Sequence, residues 1–599
     1  MKLHLLLILA LLTVASALTD QQCLELRNDT RYLAEDVLGC YRKVPLSAQE
    51  KSDTLDNLKK VLEFYVFKEA VRDSPTPGPF IHIRVHIDET LEDIRKSTAS
   101  DSIGAWDFFQ IIQDKIFTPL ADAHTSIEKP ACFSGAVYQP FSLSGKMGRS
   151  SNVRVFVASV EDNPLYKAVW NVDDLKQYIN QEITHIDGVP AFKALYKQAL
   201  RFPELSKDPS VNFNQQLLGH SFRVRPTRGE QADLHHFAVN YTFADGRSAL
   251  VPWAASHLGS VAYNDCLAPT NHSIQQLLDD LGLFRLKSFK DAEAENTTQI
   301  QMFALPNHPD VVVMRVEDFM TNVTEQVEQK ILAFNQSKLL IDLRDNGGGI
   351  VCEGFHLIEL LTAHPPPILY DMRQSPGLSE IVEASAKNNS YDLFGPSFWD
   401  KPFTNETFED WYTPRVLHRG GVRHPYTQLI QYPELSCIKD GLRPPAFNRP
   451  FDEIILLTNG LCGSTCAIFS SLLSLSHDHV TTAAVGGIPH QKMSFSTFPG
   501  GMVIEGEEII SFFDNYDLKD SPYRPNHFGT SASVRFAFLE LYLTITDTEE
   551  PEEFNYLPAD HRIYFWPGKN DTDVLYDVAA LLFKEKKEKE GKRHLQMFV

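Results

Sequence analysis

A chain of 599 residues is long enough for roughly three or four domain-sized units. Its 43% hydrophobic and 22% charged content is an ordinary globular balance, enough to bury a large core. A formal net charge of -22 argues against nucleic acid or an anionic membrane surface as the main partner and suits a soluble, acidic, extracellular protein.

The first segment, "MKLHLLLILALLTVASALTD", carries Lys2, an apolar run from Leu3 to Val14 and small residues at Ala15 and Ala17. This pattern predicts a secretory signal over residues 1–17. No later stretch is long and uncharged enough to predict a transmembrane span. N-x-S/T sequons at Asn28, Asn240, Asn271, Asn296, Asn322, Asn335, Asn388, Asn405 and Asn570 predict a secreted glycoprotein. The 8 cysteines, in an oxidising compartment, predict disulfides, with Cys23 to Cys40 the first expected pair. No cysteine–histidine cluster at metal-ligand spacing is present, so zinc is not expected.

Residues 18–131 predict a helical domain. "TLDNLKKVLEFYVFKEAV" has helical apolar spacing, with Asp53 or Thr54 as the expected cap. The block closes on "FFQIIQDKIFTPLADAHTSIEKPACF", a helix running into a loop or strand around His124. Residues 132–260 change to short strands with D-G turns, a β-rich module. From about residue 300 strands and helices alternate. "KLLIDLR" predicts a strand buried on both faces, "CEGFHLIELLTAH" a helix, and "FDEIILLTNG" a second buried strand. The proline- and aromatic-rich residues 365–450 predict an insertion, and residues 576–599 a charged, frayed tail.

Three stretches offer chemistry. In "NGLCGSTCAIFS", Ser464 lies where a strand turns into an apolar helix. A serine there sits at the positive end of a helix dipole, near N–H groups able to bind an oxyanion. The plainer alternative is that Ser464 caps the helix. Cys462 and Cys466 flank it where a G-x-S-x-G elbow would place glycines; they are expected to pair elsewhere or to pack, and a cysteine nucleophile is a minor alternative. In "LLIDLRDNGGGIV" a buried strand ends in three glycines, whose backbone adopts left-handed conformations and approaches another chain closely. A phosphate loop would need a following Lys-Ser/Thr, which is missing; a tight turn with Arg344 and Asp345 paired locally is the structural alternative. In "LADAHTSI", His124 is either a general base or a histidine satisfied by local hydrogen bonds.

In this order, a D-x-H-T segment, a strand ending in R-x-N-x-G-G and an N-G-x-x-x-S-x-x-A segment resemble the tail-specific, or C-terminal-processing, serine peptidases and their tricorn-like relatives. The nearest branch is a secreted fungal group similar to the chlamydial protease-like activity factor. "EITHIDGVPAFKAL" resembles that family's PDZ-like insert. The resemblance implies a multidomain α+β chain: an N-terminal helical domain, a PDZ-like module over residues 132–260, and a crotonase-like ββα core over residues 300–575. It implies a serine endopeptidase with Ser464 as nucleophile, His124 as general base, and an oxyanion held by the N–H of Thr465 and of Gly348 or Gly349. "EFNYLPAD" places Glu553 and Asp560 at the spacing of the tricorn-like E-x-x-x-x-x-x-D stretch, making Glu553 the third member. A Ser-Lys dyad is the competing mechanism, with Lys492 of "VGGIPHQKM" as base, although Gln491 and Met493 stand where the family has glycines. No cofactor is implied. The implied partner is an extended polypeptide, and a homodimer is plausible. A different class of protein, a non-catalytic ligand- or peptide-binding protein, is possible on the same fold.

Overall fold

The computed structural model describes most of residues 30–257, 300–398, 411–431, 442–543 and 550–564, with isolated positions outside these ranges. The expected signal segment and the sequons at Asn28, Asn271, Asn296, Asn405 and Asn570 lie outside the described residues. The chain is a mixed α/β protein of several layers, as expected.

Its centre is a sheet of six strands in the order Ile300–Leu305, His308–Val316, Lys338–Asp342, Glu453–Thr458, Val480–Val485, His561–Ile563. The first pair is antiparallel and the rest parallel. The "KLLIDLR" strand lies mid-sheet with Leu339, Leu340 and Ile341 each 0% exposed, which explains its unbroken apolar run. Alternate residues serve opposite faces. Val312, Met314, Leu339, Ile341, Ile454 and Leu456 join the main core with residues of the helices Val323–Ile331, Val351–Leu361 and Thr465–Ser476. On the other face, Val311, Val313, Leu340, Ile455 and Leu457 pack on Leu575, Val578, Ala579 and Phe583. Part of the expected tail is thus buried, its apolar residues having found a sheet face to cover.

Before this sheet, the helices Ala34–Tyr41, Ala48–Val61, Ile87–Ser97 and Ala105–Ile112 fill the expected helical region. The second starts earlier than expected. Ser47 is its cap, in a reciprocal box with Glu50, while Asp53 accepts from Gln49 and Thr54 donates to the Glu50 carbonyl. Arg31–Leu33, in a stretch expected to be helical, is a strand, because it pairs antiparallel with Ala254, Ala255 and Ser256 of the β-rich module. In that module the predicted D-G hairpin joins Ala238–Phe243 to Ser248–Pro252.

Residues 365–450 are more than an excursion. Leu369–Asp371 is the middle strand of a small sheet with Ile430–Gln431 and Glu540–Tyr542, and Tyr370, Met372 and Tyr426 are buried in the main core. Cys23 pairs with Cys40, as expected, and Cys352 with Cys437. Cys462 and Cys466 pair with each other, contrary to expectation, since the left-handed turn at Ser464 ahead of the helix brings their Cα atoms to 5.1 Å. Among the described residues no helix is long and apolar enough to cross a membrane, and Asn240, Asn322, Asn335 and Asn388 are all exposed.

Candidate active site

Two neighbouring parallel strands, Lys338–Asp342 and Glu453–Thr458, end side by side, and the glycine loop and the serine turn leave from their C-terminal ends. Such strand ends are where open α/β sheets place ligands. Side chains and backbone stitch the two loops together. Asp345 and Asn459 bond reciprocally, backbone N–H to side-chain oxygen at 3.2 Å and side chain to side chain at 2.7 Å. The Gly463 N–H donates to the Asn346 carbonyl at 3.1 Å, and the Thr465 hydroxyl to the Gly349 carbonyl at 2.6 Å. Arg344 pairs with Asp342 at 2.8 Å and not with Asp345, because Asn459 takes Asp345.

Ser464 opens the Thr465–Ser476 helix with φ at +53°, a left-handed conformation uncommon for a non-glycine residue. Its N–H donates to the Phe498 carbonyl at 3.2 Å, and its carbonyl accepts from Ile468 at 3.0 Å. Its hydroxyl makes no capping bond to the helix; Ser464 Oγ lies 2.9 Å from His124 Nε2. The Cys462–Cys466 disulfide closes a ring around the serine, and both cysteines are 0% exposed.

His124 arrives from 340 residues upstream. It lies between the short turn Thr118–Leu120 and the strand Ser126–Glu128, which pairs with Ser533–Ala537. Asp122 fixes this turn: its carboxylate accepts from the His124 N–H at 2.9 Å, the Thr125 hydroxyl at 2.7 Å and the Tyr65 hydroxyl at 3.2 Å. The Phe498 ring meets the His124 ring edge to face, centroids 5.2 Å apart. His124 is 5% exposed, and burial lowers its pKa to about 4, against the pull of Asp122. The imidazole is therefore neutral at neutral pH and able to accept a proton. Its Nδ1 is buried and has no hydrogen-bond partner among the described residues.

Gly348 faces the serine turn, with φ at +102°. Its N–H is occupied by the Asn346 side chain at 2.9 Å. The Gly349 N–H makes no hydrogen bond among the described residues, and the Thr465 N–H, first in its helix, has no intrahelical acceptor.

Glu553 is 4% exposed, in a short turn over Glu552–Phe554. Its carboxylate accepts from the Lys207 ammonium and, at 3.0 Å, from the Gly500 N–H. Burial raises its pKa to about 7, with Lys207 opposing and Asp122 adding to the rise. Asp560 bonds the N–H and hydroxyl of Thr482, both at 2.9 Å. Lys492 is exposed and makes no hydrogen bond to Ser464. Among the described residues, no group of three or more histidine, cysteine or acidic side chains is placed to hold a metal ion.

The sequence did not single out Lys207, Phe498 or the bonding role of Asn346. Lys207 had no motif around it beyond "SKDPS", where Asp208 caps the following helix through the Ser210 N–H at 2.8 Å. Asn346 stood inside the glycine motif, so its position was visible but its partners were not.

A neutral histidine on a serine hydroxyl at a helix start, with unbonded N–H groups alongside, is an arrangement able to generate an alkoxide nucleophile and hold an oxyanion. No family profile matches the sequence. A peptidase S41 family protein, phomP1', of Diaporthe leptostromiformis is 25% identical over 326 residues, 46% of this chain and 45% of that protein. The chain thus spans a little under half the length of the curated relative it matches. The crystal structure of mature CPAF superimposes with a TM-score of 0.52 at 12% identity, over 92% of this chain and 99% of that one, a likeness of fold. The sequence match is homology to the S41 peptidases, the tail-specific protease family, and the fold agrees with it.

Proposed function

We propose that the chain is a secreted serine endopeptidase that cleaves extended polypeptides through an acyl-enzyme. The observation that carries this is the 2.9 Å contact between His124 Nε2 and Ser464 Oγ, made by a serine in left-handed backbone. In this mechanism Ser464 Oγ bonds to the scissile carbonyl carbon as its proton passes to His124 Nε2. The carbonyl oxygen becomes an oxyanion between the Thr465 and Gly349 N–H groups. Of the two glycine candidates Gly349 is the better donor, because Asn346 already occupies the Gly348 N–H. The imidazolium then gives its proton to the leaving amine, and water hydrolyses the acyl-enzyme by the same steps in reverse roles. The exposure of Lys492 favours this over a Ser-Lys dyad. No cofactor enters any step.

The finer architecture belongs to the same proposal: a PDZ-like module over residues 132–260 that receives peptide, and a crotonase-like core over residues 300–575. The paired strands Glu182–Ile186 and Val189–Pro190 and the helix Ala191–Arg201 support the first, and the parallel sheet the second.

The test is fluorophosphonate labelling and casein hydrolysis by wild type and Ser464→Ala. Loss of both in a folded variant is the expected result. Equal, negligible labelling and cleavage by both, persisting after limited proteolysis, would sink the proposal in favour of a non-catalytic binding protein.

A further inference from the structure

Lys207 is 4% exposed, in the segment between the helices Ala191–Arg201 and Pro209–Leu217. Its ammonium donates to the Glu553 carboxylate and, at 3.2 Å, to the Ala121 carbonyl, and lies 5.1 Å from the Phe554 ring centroid. Ala121 has φ at +49° and begins the turn that presents His124. Glu553 also receives the Gly500 N–H, two residues beyond Phe498, whose carbonyl anchors the Ser464 N–H. One ammonium thus connects the histidine turn, the Glu553 turn and, through Gly500, the loop that backs the serine.

The other charged and titratable groups facing this cluster are Asp122 and Tyr65 beside Glu553, and Asp122 and Arg535 beside His124, where Lys207 and Arg535 both favour the neutral imidazole. Arg535 donates to the Ala123 carbonyl at 3.2 Å. A buried ion pair adds little stability over an apolar pair of similar volume. Its value here is that it ties the Glu553 turn to the Ala121 turn that leads into His124. When Ser464 loses its proton, His124 becomes a buried cation, and an ionised Glu553 offsets the Lys207 charge that opposes that state. Burial and Asp122 both push Glu553 toward its neutral form, and Lys207 opposes them.

We infer that Lys207 is a positioning residue of the Ser464–His124 site, tying the Glu553 carboxylate to the turn that carries His124. This rests on the peptidase reading above.

The test compares wild type, Lys207→Met, Glu553→Gln and the double variant, each as the full secreted chain, by Ser464-dependent peptide hydrolysis from about pH 5 to 9. Lys207→Met is expected to lower kcat about tenfold or more at neutral pH with little change in KM. It should move the acid limb of the profile upward by about one unit or more. Lys207→Arg should restore most of the rate, and in the Glu553→Gln background Lys207→Met should cost less than about twofold. If Lys207→Met fails to fold, Lys207→Gln, which keeps a donor without the charge, should show the same shift. An unshifted limb with reduced rate, or an equal loss in both backgrounds, overturns the inference and leaves Lys207 as packing. Wild type without Ser464-dependent turnover overturns the peptidase reading, and this inference with it.

Discussion

Gly348 lies so close to Ser464 that a Cβ on it would stand 2.6 Å from the serine Cβ and 2.9 Å from the Thr465 N. Contacts that short do not occur, so any side chain at position 348 displaces Ser464 or the Thr465 N–H. Gly347, one residue earlier, has nothing within 4 Å of the same atom. Gly348→Ala should therefore reduce peptide hydrolysis by about a hundredfold or more, the scale of a 1 Å misplacement. Gly347→Ala should stay within about threefold of wild type on this ground. Steady-state assays of the two side by side check this; equal loss in both would refute it.

The pH dependence follows from two buried groups pushed in opposite directions. In the proposed mechanism catalysis needs His124 neutral, which holds above about 4, and Glu553 ionised, which holds above about 7. The rate should thus rise with pH through neutrality. In Glu553→Gln that limb should vanish, leaving a lower profile, flat down to the histidine's own limb. A kcat/KM profile of the variant that keeps the neutral limb would assign it to another group.

The disulfide around Ser464 makes a separate prediction. In Cys462→Ala/Cys466→Ala the serine turn loses its covalent clamp while its bonds to Phe498 and Asn346 remain. Fluorophosphonate labelling should slow by about tenfold to a hundredfold. Closing so short a loop contributes only about 2 kcal/mol to stability, so the double variant should still fold. Labelling at the wild-type rate would mean the backbone bonds suffice.

The proposed secretion and glycosylation are tested by expression of the full chain in a eukaryotic host. Asn240, Asn322, Asn335 and Asn388 are exposed, so each is open to modification. Enzymatic deglycosylation of secreted material should increase its gel mobility, and Asn→Gln at each site should remove one step of the shift. Unmodified protein retained inside cells would count against the secreted reading.

How much of this was legible in the sequence depended on how local the cause was. The buried strand at Leu339–Ile341 announced itself, because apolar residues on both faces leave no polar alternation. Ser464, His124 and the glycine loop were found through spacing and order. Arg31–Leu33 was misread because its partner strand lies more than two hundred residues away, and pairing overrode local helical spacing. Lys207 was invisible for the same reason: its role depends on Glu553 and Ala121, which nothing in its own neighbourhood encodes. Acidic runs are usually solvated, yet Glu552 and Glu553 are 3% and 4% exposed, since the fold supplies a buried cation for one of them.

The Pro209–Leu217 helix has a wider consequence. Every residue of it is buried, and Asn214 donates to the carbonyls of Asn459 and Val485, at 2.7 and 2.9 Å, while accepting from the Gly487 N–H at 2.6 Å. Asp208, just ahead of it, accepts from the Ser494 N–H at 2.7 Å, and Leu205 from the Thr497 hydroxyl at 2.8 Å. A length of chain that leaves the β-rich module is thus the inner wall of the serine half. A truncation beginning near residue 300 would lose the histidine and also expose the backbone this wall satisfies. The unit that must be inherited, expressed or engineered whole is the chain from its first helices to its last strand, and a swapped module would have to bring a matching wall with it.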